Sequence, residues 1–144
     1  MTSVDTNVLL YAYDQSCPDH ASAFEFVASQ AENPEFLICE LVLIELYTLL
    51  RNPAVLRRPL TARNATEVCQ TYRRNQAWGV VDYPGGLMDA IWAGAATSQF
   101  ARRRIYDARL ALTLRHHGVT DFATRNTRDF QGYGFRRVWD PIKP

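Results

Sequence analysis

Three carboxylates draw attention through the company they keep. Asp5 lies between Ser3-Val4 and Thr6-Asn7-Val8-Leu9-Leu10. Glu45 lies inside Leu41-Val42-Leu43-Ile44-Glu45-Leu46-Tyr47, and Asp107 inside Ile105-Tyr106-Asp107-Ala108-Arg109-Leu110. Each also has a structural reading. Asp5 suits a helix N-cap, and Asp107 in a first helical turn gains from the helix dipole. Glu45 is harder to dismiss. A helix apolar on every side is expected to be buried, and an ionised carboxylate buried in it costs several kcal/mol unless a cation meets it. A partner arginine would do. So would a divalent ion, if the three acids meet, because clustered carboxylates otherwise raise one another's pKa. Ligands of oxygen alone, with room for water, suit Mg²⁺ or Mn²⁺. Such an ion activates water, polarises a phosphoryl oxygen and neutralises a leaving oxygen, which is what phosphodiester hydrolysis requires.

A fourth contribution is expected from Phe122-Ala123-Thr124-Arg125-Asn126-Thr127-Arg128-Asp129-Phe130. Thr124, Asn126 and Asp129 offer oxygens, and Arg125 and Arg128 offer phosphate contacts; the same stretch also reads as a solvated polar turn. The charge distribution favours a polyanion. Residues 1–50 hold eight acids and no Lys or Arg, so residues 51–144 hold all 16 bases against seven acids. Fifteen of those bases are Arg, whose planar guanidinium grips phosphate in bidentate fashion. The pairs and triplets Arg57-Arg58, Arg73-Arg74, Arg102-Arg103-Arg104 and Arg136-Arg137 read equally as solvated surface.

The elements that must position these groups alternate between strand and helix. Strands are expected at Ser3–Asp5, Phe36–Cys39, Trp78–Tyr83, Val119–Thr124 and Phe135–Trp139. Helices are expected at Thr6–Tyr13, His20–Ala31, Glu40–Arg51, Thr61–Gln76, Leu87–Phe100 and Arg104–His117, from apolar spacing, Asn33-Pro34 and Asn52-Pro53 breaks, a Thr61 cap and a Gly118 terminator. Such alternation predicts one α/β domain spanning residues 1–144, with a mainly parallel sheet between helices. Ligands of such sheets bind at the carboxyl ends of the strands, where Asp5 falls.

The remaining composition narrows the classes. A hydrophobic fraction of 47% with 22% charged residues is that of a globular chain. No long uncharged apolar run predicts a membrane span, and the start MTSVDTNVLLYAYD lacks the basic segment of a secretory signal. Cys17, Cys39 and Cys69 are scattered, as expected of reduced core cysteines in the cytoplasm rather than of a zinc site. A phosphatase or receiver domain working through an aspartyl phosphate would want a buried lysine, whereas the single lysine is Lys143. Residue 7 is Asn where a haloacid-dehalogenase pattern wants a second Asp, and there is no Walker loop.

Four segments in order, VDTNVLLYAYD, LVLIELYTLLR, IYDARLALTLRHHG and TRNTRDF, resemble a PIN domain, and in particular a VapC-type toxin of a bacterial toxin–antitoxin pair. The resemblance covers nearly the whole chain. It implies a Rossmann-like fold and a Mg²⁺- or Mn²⁺-dependent endoribonuclease leaving a 5′-phosphate and a 3′-hydroxyl. It implies Asp5, Glu45 and Asp107 as the acidic metal site, with Thr6 and Asn7 in support, a homodimer, and an antitoxin that covers the site. The family often carries an acid two residues after the Thr of the last segment. Here Asn126 holds that place and Asp129 lies three further on, leaving either to complete the site. The rival it allows is a PIN-like domain that binds RNA without cutting it.

Overall fold

In the computed structural model, which describes residues 1–143, five short strands run parallel in one sheet: β1 (Thr2–Val4), β2 (Phe36–Cys39), β3 (Gly79–Val81), β4 (Asp121–Ala123) and β5 (Arg137–Trp139). Their order is β3-β2-β1-β4-β5. The chain thus steps outward from β1 through β2 to β3, then returns to the other side of β1 for β4. The reversal leaves a crevice beyond the carboxyl ends of β1 and β4, where open α/β sheets bind ligands. Asp5 follows β1 and Thr124 follows β4, so both stand at that crevice. The Asp5 amide donates to the Ala123 carbonyl at 2.9 Å and fixes their relation.

The central strands are buried on both faces and mostly apolar, with Ser3 of β1 a fully buried polar residue. Val4, Phe36, Ile38, Phe122 and Ala123 have no exposed surface. The helices that cover them are α1 (Thr6–Tyr13), α2 (His20–Ser29), α3 (Glu40–Leu50), α4 (Ala62–Arg73), α5 (Leu87–Ala95) and α6 (Arg104–His116). A single 3-10 turn, Thr127–Phe130, follows β4, and its Phe130 packs on Phe122 with ring centroids 4.7 Å apart. Beyond β2, Trp78 fills the space between Phe36 and Tyr72, at 4.5 Å and 5.9 Å, and its indole N–H reaches the Gln30 carbonyl. Aromatic rings with a satisfied polar tip suit such a position.

The expected elements all occur: β2 has its expected bounds, β1 is shifted by one residue, and β3, β4, β5 and several helix ends are shorter than expected. Val119 and Trp78 are buried, but their amides turn away from the ladder to Leu114 and Asn75 carbonyls. Burial without pairing looks like strand in a sequence. Thr61 caps α4 by accepting from the Asn64 amide at 3.2 Å, and Gly118 follows α6 with φ +85°. One expectation is corrected. Helix α3 is not buried all round: Val42, Leu43, Leu46 and Leu50 face the core, while Ile44 is 57% exposed. Glu45, beside Ile44, is accordingly half-buried. The three cysteines are free, as read, and burial pushes the Cys39 thiol up to about 11, which keeps it inert. No helix among the described residues is long and apolar enough to cross a membrane.

Candidate active site

Asp5 occupies the N-cap of α1 in extended conformation, so its structural role is real. Its carboxylate nevertheless faces more than a cap needs. One oxygen, Oδ1, accepts from the Thr6 amide at 2.8 Å. The other, Oδ2, accepts from Thr124 Oγ1 at 2.6 Å and Asn7 Nδ2 at 3.1 Å. Thr124 is fully buried, and its hydroxyl, with its one proton committed to Asp5, accepts from the Asn126 amide at 3.0 Å. The Asn7 carbonyl oxygen accepts from the Arg125 amide at 3.3 Å. Thr6 extends the network to α3, its hydroxyl donating to Glu45 Oε2 at 2.9 Å. Residues 5–7, 45 and 124–126, remote in sequence, thus form one hydrogen-bonded unit.

Asp107 projects from the first turn of α6. Burial, then the charges of Asp129, Asp5 and Glu45, push its carboxyl up to about 6, with Arg104 pulling weakly the other way. Burial also raises Glu45, against the Thr6 hydrogen bond, and Asp5 adds to the rise. Asp5 is raised chiefly by burial despite its three donors, and Asp129 contributes to it. The four acids therefore share a field. Arg104, a cation that pulls the Asp107 value down, is exposed and donates to the Tyr133 hydroxyl at 3.0 Å.

The two candidates for the fourth position are both exposed but differ in their surroundings. Asp129 presses electrostatically on both Asp5 and Asp107. Asn126 caps the 3-10 turn with its backbone, is exposed, and its side chain makes no hydrogen bond among the described residues. Of the two arginines read as phosphate contacts, Arg128 is exposed and carries no ion pair among the described residues. Arg125 has partners the sequence did not suggest. Its guanidinium is engaged through Nη1 by Asp19 at 2.6 Å and through Nε by Asp140 at 3.1 Å. Nothing in the local sequence announces those partners, because both come from other loops.

All donors in the cluster are oxygens, the chemistry taken by a hard divalent cation. Among the described residues no three His, Cys, Asp or Glu side chains stand close enough to enclose one ion. Magnesium does not require such a cage, since it retains several waters and is held by one or two carboxylates directly. The residues fit such an ion in charge and donor type. A cavity of ≈ 720 Å³, lined by Tyr13, Asp14, Leu56, Arg57 and Arg58 among others, opens at the far end of α1 and has no part in this cluster.

The chain matches the PIN domain family model over residues 3–136. It is 55% identical to ribonuclease VapC24 of Mycobacterium tuberculosis, over 99% of this chain and 97% of that one. The fold matches the crystal structure of VapC20 of Mycobacterium tuberculosis, a sarcin–ricin loop cleaving toxin, with a TM-score of 0.70 and 21% identity over 94% of this chain and 96% of that one. It also matches DNA-bound VapBC of Salmonella typhimurium, with a TM-score of 0.62 and 19% identity over 97% of each chain. With a matched family model, a near full-length relative and the acidic crevice at the sheet's switch point in agreement, this chain belongs to the PIN-domain family, in its VapC group.

Proposed function

We propose that the protein is a Mg²⁺- or Mn²⁺-dependent endoribonuclease and the toxin of a toxin–antitoxin pair. One observation carries the chemistry. Asp5, Glu45, Asp107 and Asp129 come from four separate segments, and each of the first three holds its proton more tightly than usual because burial, and then the neighbouring carboxylates, disfavour its charge. A divalent ion bound there would lower the pKa of a water and neutralise charge on a phosphoryl oxygen. Thr6, Asn7 and Thr124 fix the orientation of Asp5 and Glu45, as supporting donors do for metal-bound carboxylates. Asp107 and Asp129 supply further negative charge on the open side. Arg128 and Arg104 stand beside those acids and can take flanking phosphates of the strand.

The 55% identical relative is a ribonuclease, which supports RNA as substrate, and the structurally similar VapBC complex supports an antitoxin partner. A homodimer remains part of the family expectation. The test is cleavage of RNA with Mg²⁺ or Mn²⁺, with and without EDTA, beside Asp5→Asn. Cleavage that EDTA stops and the variant lacks is expected. Equal cleavage by Asp5→Asn would overturn the assignment, and RNA binding by the wild type without metal-dependent cleavage would favour the non-cutting reading. Growth arrest on expression, relieved by a neighbouring gene product, is the expected result for a toxin; its absence would count against that role.

A further inference from the structure

We propose that Arg125 is a positioning residue, which ties the segment carrying Thr124, Asn126 and Asp129 to two other loops and thereby holds the Thr124–Asp5 hydrogen bond in place. Arg125 lies immediately after Thr124. Its Nη1 meets Asp19 Oδ2 at 2.6 Å and its Nε meets Asp140 Oδ2 at 3.1 Å. Tyr11 of α1 lies against the same guanidinium, which stands 5.6 Å from the ring centroid. The side chains of Arg125, Asp19 and Asp140 are only 22%, 28% and 18% exposed. Three connections, α1 to α2, β4 to the 3-10 turn and the residues after β5, therefore converge on one planar fork. Lysine, a point charge, would not reproduce that bidentate geometry.

The partners show that this is a built junction rather than a chance surface pair. Asp19 stands at the N-cap of α2 but makes no side-chain capping bond there; its carboxylate goes to Arg125 instead. Asp140 uses Oδ1 to accept from the Ile142 amide at 2.9 Å, which closes its own turn, and leaves Oδ2 for Arg125. One guanidinium between two carboxylates leaves the group net negative, which disfavours an incoming phosphate. The main chain completes the link. The Arg125 amide donates to Asn7 Oδ1, Asn7 Nδ2 donates to Asp5 Oδ2, and the Asn126 amide donates to the same Thr124 hydroxyl that holds Asp5. Loss of the fork would release Thr124 and Asn7 together.

The consequence for catalysis rests on Asp5 as an ion ligand, so the experiment reads the tie and its consequence separately. Arg125→Ala, Arg125→Lys, Asp140→Asn and Arg128→Ala would be compared in the metal-free protein by amide hydrogen exchange, by titration with Mn²⁺ alone, and by the salt dependence of RNA binding in EDTA. In Arg125→Ala, protection of the Asn126 and Arg125/Ala amides falls, Mn²⁺ affinity falls by about 10- to 100-fold as for other supporting partners, and kcat falls with KM unchanged. Arg125→Lys and Asp140→Asn recover part of each. The salt slope stays at the wild-type value in Arg125→Ala, while Arg128→Ala lowers it by about 0.7, the contribution of one contact to a single strand.

Wild-type protection and Mn²⁺ affinity in a folded Arg125→Ala would overturn the proposal. So would a loss of about 0.7 in its salt slope, which marks a phosphate contact. Should Arg125→Ala not fold, Arg125→Lys and Asp140→Asn decide by the same two measurements. A wild-type protein that binds no Mn²⁺ would sink the metal reading, and the exchange data would still decide the tie.

Discussion

The acidic crevice has two unlike halves. On one side Asp5 and Glu45 are pinned: Asp5 accepts three hydrogen bonds and is 7% exposed, and Glu45 accepts from Thr6. On the other, Asp107 and Asp129 make no side-chain hydrogen bond or ion pair among the described residues and lie at least partly open to water. The pinned half is built from groups the fold must place anyway, the ends of β1 and β4 and the start of α1. The open half hangs on the first turn of α6 and a 3-10 turn. Fixed oxygens define where an ion would sit; open ones leave room for water and a substrate phosphate.

The largest expected effect breaks the pinned half at its centre. Asp5→Asn keeps the shape but removes the charge and one of the two accepting oxygens. If the ion supplies several kcal/mol of charge stabilisation, RNA cleavage falls by about a thousandfold or more. Asp129→Asn, on the open half, lowers kcat by a smaller factor, about 10- to 100-fold. Equal losses in single-turnover cleavage would mean that the two halves do not differ in function.

Thr124→Val comes next and tests the pinning itself. It is nearly isosteric, removes the 2.6 Å donor to Asp5, and leaves the part-buried Asn126 amide without its acceptor. About 10-fold weaker Mn²⁺ binding is expected, with stability lower by about 1–3 kcal/mol for the unmet groups. Calorimetric titration and chemical denaturation read the two. Wild-type Mn²⁺ affinity in this variant would show that Asp5 needs no such support.

Asn126→Asp sharpens the assignment within the open half. Asp129 already presses on Asp5 and Asp107 with its charge, so adding a carboxylate at 126 is expected to change cleavage less than removing the one at 129. Restoration of the Asp129→Asn variant by Asn126→Asp would reverse that ranking.

The difference between the halves also marks what a sequence can and cannot disclose. Thr6–Tyr13 and Phe36–Cys39 fall where their apolar pattern puts them, because local periodicity reports burial directly. The convergence of Asp5, Glu45 and Asp107 was expected from the company each keeps and from the family resemblance. For Glu45 the reasoning overstated burial, since Ile44 beside it is exposed; an apolar helix face does not reveal whether anything covers it. The ion pairs of Arg125 were not legible because Asp19 and Asp140 are 106 and 15 residues away, and no local pattern encodes a pairing between loops. Asn126 and Asp129 stayed open alternatives for a similar reason: the 3-10 turn that carries Asp129 has no periodicity to read.

The smallest effect concerns protonation of the open half. Asp107 has a folded carboxyl at about 6 against an ordinary 3.8. A carboxyl raised on folding favours the folded state below the unfolded value, loses that advantage as pH rises through the window from 3.8 to about 6, and opposes folding above it. Because Asp107 is partly open to solvent, screening keeps the effect modest. In metal-free protein, Asp107→Asn is therefore expected to raise the thermal midpoint at pH 7, with the gain shrinking as pH falls toward 4. Saturating Mn²⁺ reverses the order at pH 7, because an ion rewards the ionised carboxylate that the apoprotein resists. A midpoint difference that ignores both pH and Mn²⁺ would place Asp107 outside the shared field, and the open half would then reduce to Asp129 alone.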